Sequence, residues 1–184
     1  MGWIILILGL ALWWLPHLFK RIAPAQRARM GDAGKGAVAV AIVGGIVLMV
    51  IGYRMTPFVH VWAPPVFMVH INNLLVLIAI YLMSPAPKRG RLLSGMRHPM
   101  LGGFKLWAFA HLLVNGDLAS IMLFGGLLTW AVVEVITINR AEPDWTPRTP
   151  GSYGKDAMFF AGSVVLLAVI GWIHGWLGPW PFPT

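Results

Sequence analysis

The sequence predicts an all-α integral membrane protein of six transmembrane helices, with the fourth and fifth forming a central helical hairpin. Three observations predict it. The 184-residue chain is 58% hydrophobic and only 11% charged, whereas a soluble domain carries about 25% charged residues. The apolar residues gather into six runs, each near the ~20 residues needed to span a bilayer. Lys and Arg concentrate in short segments between those runs, as loops at a membrane surface require. The whole chain, 1–184, reads as one transmembrane domain, with no repeat or low-complexity segment.

The runs follow in order. Gly2 to Phe19 is the first; the basic residues follow it rather than precede it, and no small-residue cleavage site comes before Lys20, so a retained helix is expected rather than a signal peptide. Gly36 to Tyr53 is the second. Pro65 to Met83 is the third, opened by Pro64 and Pro65. Pro99 to Asn115 is the fourth and is short. Leu118 to Asn139 is the fifth, and Ala157 to Leu177 is the sixth, closed by Gly178 and Pro179. Asn115-Gly116-Asp117 is expected to be a tight turn, because Asn and Gly tolerate positive φ, and this turn makes the fourth and fifth runs the hairpin.

The loops alternate in charge. Segment 20–35 carries Lys20, Arg21, Arg27, Arg29 and Lys35 against Asp32. Segment 84–98 carries Lys88, Arg89, Arg91 and Arg97 with no acid. Segment 140–156 carries Arg140, Arg148 and Lys155 against Glu142, Asp144 and Asp156. Segment 54–64 has only Arg54, and the tail after Gly175 has no charge. The positive-inside rule then puts the three basic loops in the cytoplasm and both termini outside. The net charge of +8 belongs to this pattern and does not imply nucleic acid. Trp172, Trp176, Trp180 and Trp62 fit an outer aromatic belt. With no Cys, disulfides and thiolate chemistry are excluded.

Polar groups in hydrocarbon need a partner or a task. His17, His70, His98 and His111 lie in or beside apolar runs, so imidazole is the strongest available ligand for a buried haem or metal. Each could equally be a hydrogen-bonding link between helices. Along the fourth run Met100, Phe104, Trp107, His111 and Asn115 share one face, an aromatic and thioether stripe that suits a flat apolar porphyrin or plain packing. His98, 13 residues before His111, points roughly the opposite way. Depth alone pairs His70 with His111 and His17 with His98, while a tilted haem could join His17 to His111. His60 and His174 read as interface residues. Glu134 is the one carboxylate inside a run. Counting from Gly116 places it level with Arg97 and His98, either as their partner in a polar cluster that could receive a haem propionate or as a residue reaching the interface.

The stretch RHPMLGGFKLWAFAHLLVNGDLAS, Arg97 to Ser120, resembles the signature of the NnrU family, bacterial membrane proteins associated with denitrification and nitric oxide metabolism. It is also similar to zeta-carotene isomerase, a b-type haem enzyme that isomerises a polyene without net redox change. The likeness is specific in this stretch and loose elsewhere. It implies a bacterial inner-membrane haem b protein whose axial ligands are His111 and His17, with His70 as competitor and Arg97, His98 and Trp107 around the cofactor. The expected partners are membrane lipid and an apolar polyene or a nitric-oxide-related partner; no catalytic residue is assigned. The isomerase has a Cys where Ala108 stands, and its Val-His-Glu motif falls on Val69-His70-Ile71, without the Glu. A wider likeness, through the RHP stretch, runs to isoprenylcysteine carboxyl methyltransferases. It implies a methyltransferase-like protein as the alternative, but the acidic pair that binds their cofactor is missing from Glu134 to Arg140.

Overall fold

The computed structural model describes residues 1–183. Helix makes up 75% of the chain, and the described residues contain no strand. They form α1 (Gly2–Ile22), α2 (Pro24–Arg29), α3 (Gly31–Met55), α4 (Met68–Met83), α5 (Ala86–Arg89), α6 (Pro99–Val114), α7 (Leu118–Ala141) and α8 (Tyr153–Leu177). Helices α1, α3, α7 and α8, of 21, 25, 24 and 25 residues, are long and apolar enough to cross a membrane. Helices α4 and α6 have 16 residues each. At ~1.5 Å per residue they reach about 24 Å, short of a ~30 Å hydrocarbon core.

Each of the six predicted apolar runs overlaps one of these helices, with shifted ends. Helix α4 starts three residues later than expected, because Pro65 to Phe67 form a turn whose carbonyls accept from Met68 and His70. Helix α8 starts earlier, at Tyr153, where the Ser152 side chain accepts from the Lys155 amide and caps the first turn. The short helices α2 and α5, each opened by proline, lie in segments expected to be loops. Proline suits a first helical turn because its missing N–H is not needed there.

The chain forms two compact units. The first comprises residues 1–62 and 116–143 and holds α1, α2, α3 and α7. Its helices pack closely through glycine. A Cβ on Gly9 would lie 2.6 Å from the Met49 amide nitrogen, and one on Gly45 would lie 3.0 Å from the Trp13 nitrogen. Small residues let membrane helices bring their backbones together, since water gives no hydrophobic drive there. The Trp14 indole N–H donates to the Gly126 carbonyl at 3.2 Å and ties α1 to α7.

Within this unit the segment after α3 pairs with residues 116–118. Val61 and Trp62 amides donate to the Gly116 carbonyl at 2.8 and 3.0 Å, and the Leu118 amide donates to Val59 at 2.9 Å. This corrects the expectation for the Asn115-Gly116-Asp117 turn. None of its residues has positive φ; among the described residues only Gly31 does. Gly116 is needed because the Trp62 carbonyl occupies the space a Cβ would take. Asp117 then caps α7, accepting from the Ser120 amide at 2.9 Å and its hydroxyl at 2.5 Å, and Tyr53 lies 2.9 Å from the same Ser120 oxygen.

The second unit comprises residues 63–115 and the chain from Asp144 onward, with α4, α5, α6 and α8. Helix α4 packs against α6 and α8, and Gly103 of α6 fits against the Ala79 carbonyl, 2.7 Å from where its Cβ would be. Buried Asp156, in the first turn of α8, organises the basic loop. It accepts from the Tyr81 hydroxyl at 2.9 Å and from the Arg91 and Leu92 amides at 2.7 and 3.2 Å. The tail after α8 folds back, with the Pro181 carbonyl accepting from Asn73 at 3.0 Å and the Phe182 ring over Gly171. Outward-facing Val165, Ile170 and Trp176 of α8 are exposed, as expected of a helix whose surroundings are lipid.

Candidate functional site

Two histidines stand in the same local frame. In the first unit, His17 lies one turn after Trp13 on α1. Its Nδ1 is 2.7 Å from the Trp13 carbonyl. A carbonyl can only accept, so Nδ1 carries the proton and Nε2 holds the lone pair when the ring is neutral. The ring lies 4.4 Å from Trp13 and 4.6 Å from Trp130 of α7, centroid to centroid, and the two indoles are 5.2 Å apart. In the second unit, His111 lies one turn after Trp107 on α6. Its Nδ1 is 3.0 Å from the Trp107 carbonyl, its ring is 5.0 Å from Trp107, and Phe104 continues the stack at 5.3 Å. Asn115 closes the stripe by donating to the His111 carbonyl at 2.8 Å.

This is the arrangement in which imidazole binds a metal. The nitrogen away from the iron is held by an acceptor, which fixes the tautomer and makes the other nitrogen more basic. Trp-x-x-x-His at 13–17 and again at 107–111 is the sequence signal for it. The repeat acquires meaning only from the ring geometry, because nothing in the spacing alone says that Nδ1 turns back to the preceding carbonyl. The described residues contain no group of three or more His, Asp or Glu that could hold a metal. Haem needs no such group, since the porphyrin holds the iron and the protein adds one or two axial ligands. The residues present fit a haem in this respect.

The other candidates differ. His70 is exposed in the first turn of α4, and among the described residues its ring makes no side-chain hydrogen bond. Late initiation of α4 leaves it at the helix end rather than inside it. His98 is the residue before α6, and its side chain does not cap that helix. His98 and Arg97 line a cleft of about 210 Å³ in the second unit, together with Lys88, Arg148, Met83 and Leu101. His174, near the end of α8, holds its Nδ1 2.8 Å from the carbonyl of Pro179 in the tail that follows the helix.

Glu134 has a buried Oε2 without a hydrogen-bond partner. The cation acting on it within its own unit is Arg21, at the end of α1, which also pairs with Glu142 at 2.8 Å. Arg21 counts as a loop charge in the sequence, because the first apolar run stops at Phe19. Helix α1 continues to Ile22 and so carries Arg21 on its last turn. Lys105 is a second charge inside an apolar helix, one and a half turns into α6.

The family model described as NnrU protein matches residues 5–181. The chain belongs to the NnrU family. No curated protein and no solved structure is significantly similar to the chain. The NnrU match takes in both Trp-x-x-x-His sites and the Arg97-His98-Pro99 stretch, so the residues singled out here lie inside the family's own extent.

Proposed function

We propose that the chain is an integral membrane haem b protein of the NnrU family in which His111 and His17 supply axial imidazoles. One observation carries the reading. Two histidines on different helices both hold Nδ1 against the carbonyl of a tryptophan four residues earlier, which leaves Nε2 as the ligating nitrogen. Trp107 and Phe104 beside His111, and Trp13 and Trp130 beside His17, offer the apolar aromatic walls that a porphyrin plane packs against. His70 has no such anchor and takes third place as a ligand.

The topology proposed with this function has six spans, with α6 and α7 as a hairpin about residues 115–117, the basic loops in the cytoplasm of a bacterial inner membrane and both termini outside. The functional class is haem chemistry coupled either to nitric oxide and denitrification metabolism or to cis–trans isomerisation of an apolar polyene. When bound, haem would supply an iron centre that takes a diatomic ligand in exchange for one imidazole, or that lowers the barrier to double-bond rotation. The protein's part is to fix the two rings and exclude water. The test is haem content per chain after purification from haem-replete cells, for the wild type, His111→Ala, His17→Ala and His70→Ala. The first two substitutions should each remove most haem and the third should leave it. Haem retained at wild-type level in both His111→Ala and His17→Ala would sink the ligand assignment. Nitric oxide added to the reduced protein, and a cis-polyene added in detergent, separate the two classes by a spectral shift or by isomer analysis.

A further inference from the structure

We propose that the cleft between the C-terminal end of α4 and the first turn of α6 binds the phosphate of an anionic phospholipid. Four basic side chains line it, Lys88, Arg97, His98 and Arg148, and no carboxylate among the described residues does. The nearby acid, Asp156, is already committed to Tyr81 and to the Arg91 and Leu92 amides. Arg97 and His98 have other interactions, so the proposal rests on the remaining pair. Lys88 is exposed and makes no ion pair among the described residues. Arg148 is held in place through its own amide, which donates to the Ser94 carbonyl at 3.3 Å. Its Nη1 is buried without a hydrogen-bond partner. A buried guanidinium nitrogen left unsatisfied is costly, and a phosphate oxygen is the acceptor it matches best.

The other wall identifies the source of the phosphate. Leu82, Met83 and Leu101 line the same cleft, which lies where two apolar helices meet a basic loop, the level of the headgroups in a bilayer. The site therefore offers cations to a headgroup and hydrocarbon to the chains attached to it. The first turn of α6 adds the positive end of a 16-residue helix whose N-cap side chain makes no capping bond. Soluble phosphate would use only the cationic half. This inference does not depend on haem binding.

The test is native mass spectrometry of the purified full chain in a neutral detergent, which carries no surface potential, with phosphatidylglycerol or phosphatidylcholine added. Wild type should retain one phosphatidylglycerol per chain in preference to phosphatidylcholine. Lys88→Gln with Arg148→Gln should weaken that binding by about 100-fold, roughly tenfold for each charge-assisted hydrogen bond to the phosphate that is lost. Lys20→Gln with Arg29→Gln, two exposed cations outside the cleft, should leave it unchanged. Indifference of the wild type between the two lipids would overturn the proposal whether or not the variants fold. So would equal loss in the control pair, or displacement of the lipid by millimolar inorganic phosphate. Loss of haem from the Lys88→Gln/Arg148→Gln protein without loss of lipid would reassign the cleft to a propionate.

Discussion

At the scale of single residues, the chemistry turns on which nitrogen of each imidazole is committed. In His17 and His111 it is Nδ1, and this makes a prediction that a packing role does not. His111→Gly opens the space of the ring without replacing it, so adding imidazole to the variant should restore the low-spin spectrum of the reduced protein. A histidine needed only for packing would give lower stability and no spectral rescue. Trp107→Ala should weaken haem retention less than loss of His111 does, because the anchoring carbonyl is backbone and survives the substitution. Haem affinities of the three proteins, measured by titration of the apoprotein, check this order. The histidine candidates were legible from their place in apolar runs. Which of them is anchored was not, because apolar context does not say where Nδ1 turns; His70, the competitor to His17, is exposed at a helix end because Pro65 to Phe67 form a turn.

At the scale of elements, the positions of all six apolar runs follow from the sequence because an apolar run of this length has few alternatives to helix in a bilayer. The ends do not, because they depend on caps and on where a polar side chain turns. Asp156 is the clearest case. It sits among charges in segment 140–156 and counts there as a loop acid, yet it is buried in the first turn of α8 with three donors on its oxygens. Asp156→Ala would strand the Arg91 and Leu92 amides and should destabilise the protein by about 1–3 kcal/mol or more, measured by thermal unfolding in detergent. Gly45→Leu tests the α1–α3 contact in the same way. The added side chain meets the Trp13 backbone, and overpacking of this kind costs about 1–3 kcal/mol. The same melting measurement applied to Gly36→Leu, where a Cβ meets nothing within 4 Å, should show little change.

For the whole molecule, the charges arrange the spans. The basic segments at 20–35, 84–98 and 140–156 alternate with segments nearly free of Lys and Arg, and this predicts that reporter fusions at Met1 and Thr184 both report the outside of the membrane. A cytoplasmic signal at one end alone would mean an odd number of spans, with one of the two 16-residue helices, α4 or α6, failing to cross. The NnrU family and the all-helical membrane character were readable from the chain because one depends on the Arg97 to Ser120 stretch and the other on composition. The cationic cleft was not, since Lys88, Arg97 and Arg148 are separated in sequence and meet only because the loop before α8 returns to Ser94.

The absorption spectrum of the wild-type protein, purified from haem-replete cells and then reduced, tests the central claim most directly. The account predicts a Soret band with the sharp α and β bands of low-spin haem b. Protein that is folded, as judged by helical circular dichroism, and free of haem in that spectrum would contradict it.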